Sequence, residues 1–245
     1  MRRVLFVITL FTLIVTACAP AAPTEQPSII IQRPTAKPTL KEPTPKPVRT
    51  PAGPAEKAVV KQLAANLGLK ESDVSILSSE EVEFRDSCLG MVLEDVPCAQ
   101  VITPGNKIVL EASGVQYEYR TSRDGGRVQP ATLALVWKRE GGIAGFCDTL
   151  TVFLSGEVFA SQCKPQADGK FGTFANLLSS QEQKQFNGWI ARFAKTDLDA
   201  SDPRGVSDRM VVTLEFLGTG DKAPSQSEQQ ALFKFAQDLY QEVMK

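Results

Sequence analysis

The sequence of 245 residues predicts an α+β fold, in which two small domains follow a disordered proline-rich tether and each domain is an antiparallel sheet packed with one or two helices. Three observations support this prediction. Apolar and polar residues alternate on both sides of short loops that contain glycine, which is the pattern of β-hairpins. Two apolar runs of helical period follow a serine with a glutamate three residues later, which is typical of capped helices. A segment near the N-terminus is rich in proline and threonine and has too few apolar residues to form a core.

The first residues have the pattern of an export signal. Arg2 and Arg3 precede an apolar run that ends near Val15 and is too short to cross a bilayer comfortably. The run Val15-Thr16-Ala17-Cys18 resembles the lipobox of bacterial lipoproteins. This resemblance implies that a signal peptide of residues 1–17 is removed and that Cys18 receives the lipid, so we expect an extracytoplasmic protein anchored to the cell membrane. An ordinary secretory signal and an uncleaved anchor are the alternatives.

The composition of residues 18–55 predicts a tether between the lipid and the folded chain. Proline recurs every few residues in this segment, together with threonine, alanine and lysine. Such a chain favours an extended conformation of about 3.1 Å per residue, so the tether could hold the folded part up to roughly 110 Å from the membrane. We expect a solvated spacer. Contact of its lysines and arginines with anionic lipid or wall polymer is the alternative.

The composition excludes several classes of function. The chain has no histidine, which removes Ser-His-Asp and Cys-His catalysis, histidine-based zinc motifs and histidine-ligated haem. It also lacks a glycine-rich phosphate loop and a nucleophile elbow. Acidic residues outnumber basic ones beyond residue 55, so no strongly basic face is available for nucleic acid. Catalysis by carboxylates alone or by a Ser-Lys pair is the alternative that the composition leaves open. We predict a protein that is not an enzyme, with no cofactor, no metal and no nucleic-acid partner.

Four cysteines remain once Cys18 is assigned to the lipid, and they fall into two close pairs. An exported chain favours disulfides, so we predict that Cys88 bonds with Cys98 and Cys147 with Cys163. Each bond would stabilise the fold by about 3 kcal/mol in the loop-entropy model. A zinc site made of all four cysteines is the alternative, although their spacing is not that of paired C-x2-C motifs.

Residues 56–124 predict the first domain. A helix begins near Glu56 and ends before Gly68, a residue suited to a helix C-cap. Residues 74–84 form a first strand, and residues 107–112 pair with residues 115–121 through a two-residue loop. This register places three apolar pairs on one face: Ala112 with Val115, Leu110 with Tyr117, and Ile108 with Tyr119. Residues 85–104 form a disulfide-stapled surface insert.

One helix followed by an antiparallel meander resembles the small domains of the cystatin/PepSY type over residues 56–124. The runs Asp86-Ser87-Cys88-Leu89-Gly90 and Ile102-Thr103-Pro104-Gly105 are similar to a segment of uncharacterised domains in bacterial envelope proteins. PepSY-type modules often accompany secreted proteases. The resemblance therefore implies a protease as a possible partner.

The sequence predicts a short hinge over residues 125–130 and the second domain over residues 131–245. Its central hairpin has the loop Leu154-Ser155-Gly156, with Gly156 in the left-handed conformation. This register places Cys147 opposite Cys163, and Val152 opposite Val158 on the other face. The turn residues, the apolar pattern and the disulfide are independent of one another, and all three require this register.

Two capped helices and a strand complete the second domain. Ser179 with Glu182 and Ser225 with Glu228 predict the helix starts, and residues 212–216 alternate as a strand. The residues predicted to face the core from the two helices are Phe186, Trp189, Ile190, Phe193, Leu232, Phe235, Ala236, Leu239 and Val243.

A glycine-rich bend is the candidate partner-binding site. It follows a strand over residues 132–139 and consists of Glu140, Gly141, Gly142, Ile143, Ala144 and Gly145. Glycines allow close approach of a partner, but they also permit a tight turn. With the preceding Trp137-Lys138-Arg139, the bend resembles the N-terminal strand and turn of emfourin-like proteins, inhibitors of thermolysin-like metalloproteases. The resemblance covers residues 131–243.

We therefore predict a membrane-tethered protein-binding module that inhibits an extracellular metalloprotease. A structural or assembly lipoprotein that binds cell-wall polymer or other envelope proteins is the alternative. A pocket for a small ligand between the two domains has no support from individual residues.

Three further sets of residues favour structural interpretations. The run Asp197-Leu198-Asp199-Ala200-Ser201-Asp202 has carboxylates but lacks the glycine and final glutamate of an EF-hand, so we predict a solvated acidic loop rather than a calcium site. Trp137 and Trp189 lie on apolar faces and are predicted to be core residues. Glu80, Glu81 and Glu83 are predicted to lie on a solvated strand edge.

Overall fold

The computed structural model describes residues 51, 53–91, 93, 96–164, 172–201 and 209–245. All secondary structure within these residues lies in the compact unit Pro45–Lys245. The helices are α1 (Pro54–Leu67), α2 (Ser180–Arg192) and α3 (Gln226–Val243). The strands are β1 (Val74–Phe84), β2 (Thr103–Ala112), β3 (Val115–Ser122), β4 (Val128–Pro130), β5 (Leu133–Gly141), β6 (Phe146–Phe153), β7 (Glu157–Gln162), β8 (Gly172–Leu177), β9 (Thr196–Asp199) and β10 (Met210–Phe216).

The fold is a mixed α+β fold in which strands predominate. The strands form two antiparallel sheets, one of four strands in the order β1-β2-β3-β4 and one of six in the order β8-β7-β6-β5-β10-β9. The predicted α+β class is confirmed at this level.

The four-stranded sheet packs against α1 as the apolar spacing predicts. Val59, Val60 and Leu63 are buried, and Gly68 ends the helix in the left-handed conformation with φ of 65°. The register of the β2–β3 hairpin is confirmed at all three predicted pairs. Strand β2 begins at Thr103, inside the predicted insert, where it pairs with the end of β1.

The predicted hinge over residues 125–130 is wrong for its second half. Val128–Pro130 forms β4, which pairs with β3 and places Pro130 opposite Tyr119. Proline is tolerated there because β4 is an edge strand, and its missing N–H is not needed by a further neighbour. The proline therefore does not exclude strand pairing at this position.

The β6–β7 hairpin has the predicted register. Val152 lies opposite Val158, and Leu150 lies opposite Ala160. Gly156 has φ of 94°, as the three-residue loop requires. The disulfides Cys147–Cys163 and Cys88–Cys98 are both formed, which confirms the predicted pairing.

The sequence interpretation missed the two edge strands of the large sheet. Strand β8 pairs with β7 in the stretch before α2, and β9 pairs with β10 in the predicted acidic loop. Asp197 and Asp199 therefore lie on a strand rather than in a loop, with Leu198 between them on the buried side. The sequence also predicts a turn from Pro165 to Gly169, and these residues lie outside the described ones.

Helices α2 and α3 cover the large sheet through a cluster of aromatic rings. Both predicted capping boxes are present, at Ser179 with Glu182 and at Ser225 with Glu228. The side chains that share the cluster make ring contacts at centroid distances of 5.2 to 6.2 Å, and they are Phe186, Trp189, Phe193, Phe216 and Phe235. This part of the core therefore has well-defined edge-to-face and stacked geometry.

Most of the buried apolar residues form one cluster to which both sheets contribute. Polar contacts join the sheets as well, because Glu157 Oε1 accepts hydrogen bonds from Asn66 Nδ2 at 2.6 Å and from the Tyr119 hydroxyl at 3.0 Å. The hydroxyl of Ser155 donates to the other oxygen of Glu157. The division into domains of residues 56–124 and 131–245 stays a prediction.

The three tyrosines of the chain should ionise late in the folded state. Burial raises the pKa of all three hydroxyls above the ordinary value of 10.0, and the neighbouring carboxylates of Glu157 and Asp148 raise the pKa of Tyr119 and Tyr240 as well. At pH values between the pKa of the unfolded chain and the pKa values of the native chain, the native chain keeps these protons while the unfolded chain loses them. This contribution to stability is therefore complete below about pH 10 and is lost as the pH rises through the native pKa values.

Ultraviolet titration checks this prediction. At about pH 11 the folded chain should show clearly less tyrosinate absorbance than the chain in denaturant, whose tyrosines should be nearly all ionised. Equal absorbance from the folded and unfolded chains would show that the hydroxyls are exposed.

Candidate partner-binding hairpin

The predicted glycine-rich bend is the tip of the β5–β6 hairpin. Glu140 lies opposite Cys147, Gly141 lies opposite Phe146, and residues 142–145 form the turn. The side chain of Ile143 is 94% exposed at the apex of this turn, and Ala144 and Gly145 are also exposed. The structure therefore presents an isoleucine to solvent on a short loop between two long strands.

Gly141 is required by the approach of the neighbouring strand. It has φ of 75°, and a Cβ added there would lie 2.6 Å from the carbonyl oxygen of Arg209. The N–H of Gly142 donates to the same oxygen at 3.2 Å, and the N–H of Gly145 donates to Gly142 O at 2.8 Å. The bend is thus bonded both to itself and to the start of β10.

One face of the hairpin base is held by an ion pair and a helix. Arg139 on β5 and Asp148 on β6 lie directly opposite each other, and Arg139 Nε donates to Asp148 Oδ2 at 2.7 Å. The hydroxyl of Tyr240 on α3 donates to Asp148 Oδ1 at 2.8 Å. Asp148 is buried, so this carboxylate joins both strands of the hairpin to α3 where water cannot compete.

Aromatic rings flank the same arginine. The guanidinium carbon of Arg139 lies 4.0 Å from the centroid of the Phe146 ring and 5.7 Å from that of Trp137. Trp137 also contacts the Tyr240 ring at 5.4 Å. Trp137 and Trp189 are both buried, as predicted. The rings restrict the side chain of Arg139 and add a cation–π attraction.

The opposite face of the hairpin base carries the disulfide. Side chains alternate between the two faces of a strand, so Cys147 points away from Asp148 and bonds with Cys163 on β7's continuation. The next residue, Lys164, donates through Nζ to the carbonyl oxygen of Ala144 in the bend. The base is therefore fixed on both faces, while the apolar apex remains exposed.

A cleft of about 580 Å³ opens beside the bend, between the β5–β10 pair and α3. Met210 forms its rim next to the bend, since a Cβ on Gly142 would lie 3.5 Å from that of Met210. The residues that define its chemistry are Trp137, Arg139, Val212, Phe233 and Lys234. We call Ile143, Met210 and this cleft the hairpin-tip surface.

The motif Asp86-Ser87-Cys88-Leu89-Gly90 has a structural role. Asp86 Oδ1 accepts the backbone N–H groups of Cys88 at 2.8 Å and Gly90 at 3.0 Å. Arg120 donates through Nη1 to the carbonyl oxygens of Leu89 and Gly90 at 3.2 and 2.6 Å. Leu89 is fully buried. These contacts fold the insert onto β3.

The structure contradicts the zinc alternative, because the four cysteines are paired as disulfides and offer no thiolates. Within the described residues, one group of three potential metal ligands occurs, at Asp86, Cys88 and Cys98, and two of its members are bonded to each other. Hydrogen bonds from Ser201 lower the pKa of Asp199 below its ordinary value. Asp202 and the lipidation residue Cys18 lie outside the described residues.

The ion-pair network of the hairpin was not foreseen. Neither Asp148 nor Tyr240 was singled out from the sequence, although the β5–β6 turn places Arg139 opposite Asp148 once its length is known. Counting across that turn could have found the pair. The contact with Tyr240 comes from a residue 92 positions away, and no local pattern signals it.

The fold and its bonds define a disulfide-stabilised α+β protein, and the two disulfides indicate an oxidising, extracytoplasmic environment. None of the helices within the described residues has the length and apolar character needed to span a bilayer. The model of a domain of unknown function, DUF8738, matches residues 56–130, which include α1 from Glu56 onward, β1 to β4 and the first disulfide. Comparison with the curated proteins and with the solved structures yields no match.

Proposed function

We propose that this chain is a membrane-tethered extracytoplasmic lipoprotein that binds another protein through the hairpin-tip surface, and that the partner is a secreted metalloprotease which it inhibits. The observation that carries the proposal is the exposure of Ile143 at the apex of a hairpin whose base is fixed on both faces. An isoleucine in water gains about 1.5 to 3 kcal/mol when it is buried, so a partner pocket would be a favourable site for it.

A rigid base makes such a contact more favourable. A loop that is already ordered loses little conformational entropy on binding, so more of the contact energy appears as affinity. Ile143 would enter a hydrophobic subsite of the protease, and Met210 would extend the apolar contact. The adjoining cleft would accept a side chain of the partner between Phe233 and Val212. The hairpin would then occlude the active-site cleft without offering a scissile bond in an extended conformation.

The remaining parts of the proposal come from the sequence. The similarity of residues 131–243 to emfourin-like inhibitors supports a metalloprotease as the partner. The lipobox at Val15-Thr16-Ala17-Cys18 and the proline-rich residues that follow support a lipid anchor and a disordered tether. The tether would hold two small α+β domains near the membrane, where a protease passing through the envelope would meet them.

Replacement of Ile143 by aspartate should weaken inhibition of a thermolysin-like protease by at least about 30-fold, the effect of losing a binding hot spot of about 2 kcal/mol. The aspartate places a charge where the partner is expected to be apolar. Titration of the protease with the purified chain measures the inhibition constant. The thermal midpoint should not change, because Ile143 makes no buried contact.

Ile102→Asp is the matched control, since Ile102 is also an exposed isoleucine but lies on the small sheet side of the molecule. This variant should inhibit as well as the native chain. Absence of inhibition across a panel of secreted metalloproteases would reject the proposed partner. Inhibition that is unchanged in Ile143→Asp would reject the hairpin tip as the site.

A further inference from the structure

The two sheets have four edge strands within the described residues, and three of them carry features that prevent pairing with another chain. An unprotected edge offers free N–H and C=O groups to any strand that approaches. Strand β1 has Glu80, Glu81 and Glu83 and a register shift between Ile76 and Ser78. Strand β4 has three residues and ends in Pro130.

Strand β9 is also protected, because it has four residues and two of them are Asp197 and Asp199. Short length and charged side chains both oppose the addition of a further strand. Strand β8 differs from all three. Its sequence, Gly172–Leu177, has six residues and contains no charged residue and no proline.

The outer edge of β8 has backbone groups that no described residue pairs with. Leu178 N–H donates to Gly156 O on the β7 side. Because N–H groups alternate in direction along a strand, those of Thr173, Ala175 and Leu177 point away from β7. The N–H of Leu177 is occupied by the Asn176 side chain at 2.9 Å, and no described residue accepts a hydrogen bond from the N–H of Thr173 or Ala175. Leu177 also exposes 40% of its surface beside this edge.

We propose that the outer edge of β8 pairs in antiparallel fashion with β8 of a second copy of this chain and forms a closed dimer. One unprotected edge among the described strands allows one such contact per chain, and a two-fold axis then closes the assembly without further growth. Because β1, β4 and β9 are protected against pairing, strand addition is disfavoured at the other edges of the two described sheets, and β8 selects a single mode of self-association.

A two-fold axis through Ala175, perpendicular to the sheet, satisfies the free groups. Ala175 and the partner's Ala175 exchange both of their N–H to O hydrogen bonds, and their small side chains allow close approach. Leu177 then lies opposite Thr173 of the partner subunit on the same face. The helix-covered faces of both large sheets fall on the same side, so the two sheets continue into one another.

Sedimentation equilibrium of the full chain in mild detergent tests the proposal. The native chain should be dimeric with a Kd in the micromolar range or below, and Ala175→Lys should raise this Kd at least about tenfold by placing a charge at the axis. Ser79→Lys, the same change on the protected edge β1, should leave the Kd unaltered. Unchanged thermal midpoints show that the variants fold.

A native chain that is monomeric at about 100 μM, far above a micromolar Kd, overturns the proposal. A dimer that tolerates Ala175→Lys, or one that both variants weaken equally, also overturns it. Hydrogen exchange gives an independent readout, because the amides of Thr173 and Ala175 should become protected as the chain concentration rises. Protection by an added extended peptide while the chain stays monomeric would assign the edge to a foreign strand and reject the dimer.

Discussion

Replacement of Asp148 by alanine should lower the free energy of unfolding by about 3 to 5 kcal/mol, which is the range for removal of one partner from a buried ion pair. Asp148 is buried and accepts hydrogen bonds from Arg139 and Tyr240. Without the carboxylate, the guanidinium loses its counter-charge in a poorly hydrated site, and the Tyr240 hydroxyl loses its acceptor. The cost of leaving these groups unpaired is larger than the value of the contacts themselves.

The variant Asp148→Asn removes the negative charge of the side chain but keeps its shape, so it separates the two contributions to stability. An asparagine oxygen can still accept from Tyr240, so this variant should lose less stability than Asp148→Ala. Urea unfolding of both variants, followed by circular dichroism, measures the difference. A loss below about 1 kcal/mol in Asp148→Ala would mean that water reaches the site and solvates Arg139.

The variant Asp148→Asn also tests whether the base of the hairpin affects partner binding at its tip. Asp148 does not contact Ile143, and it reaches the cleft only through its bond to Arg139. An effect of this variant on partner binding would therefore pass through the orientation of Arg139 and of the hairpin base. If preorganisation contributes to inhibition, Asp148→Asn should weaken inhibition while the apex keeps its isoleucine. Disulfide Cys147–Cys163 should retain the strand register in this variant, because it joins the opposite face.

The sequence predicted one hairpin of each sheet with its register, β2–β3 and β6–β7, because independent kinds of information coincide there. In the β6–β7 hairpin, the glycine position, the apolar alternation and the two cysteines each require the same pairing. A shift by one residue would place Leu150 and Val152 on the wrong face and separate Cys147 from Cys163. Agreement of independent constraints made these elements predictable.

The edge strands could not be predicted in the same way. Strand β9 has one buried residue, Leu198, and its neighbours are acidic, so its local pattern is that of a loop. Strand β4 contains Pro130, which disfavours a central strand but not an edge. These segments are strands because β10 and β3 offer them hydrogen-bonding partners. That information is tertiary and is absent from the local sequence.

The candidate site, like the fold, could be predicted from the sequence only in part. The glycine-rich bend and the disulfide beside it could be predicted from the sequence, because glycines favour turns and closely spaced cysteines of an exported chain favour disulfides. The exposure of Ile143 was not visible, since an isoleucine is more often buried. The network of Arg139, Asp148 and Tyr240 depends on how α3 lies across the sheet, which helical periodicity does not specify.

Replacement of Phe186 by alanine should lower the free energy of unfolding by about 3 to 5 kcal/mol and the thermal midpoint by roughly 6 to 20 °C for a chain of this size. Phe186 on α2 is fully buried. Its ring stacks on Phe235 of α3 at 5.8 Å and meets the edge of Phe216 on β10 at 6.0 Å. Alanine would leave a cavity where α2, α3 and the sheet meet.

Phe186→Leu is the matched control, because leucine keeps most of the volume but not the aromatic geometry. It should cost about 1 to 2 kcal/mol, so the difference between the two variants isolates the cavity. Calorimetry of the native chain and both variants measures these values. Equal losses in the two variants would show that ring contacts, rather than filled volume, hold the helices on the sheet. A loss below about 1 kcal/mol in Phe186→Ala would mean that the helices can close the space, which the β10 strand beneath them should prevent because both of its edges are paired.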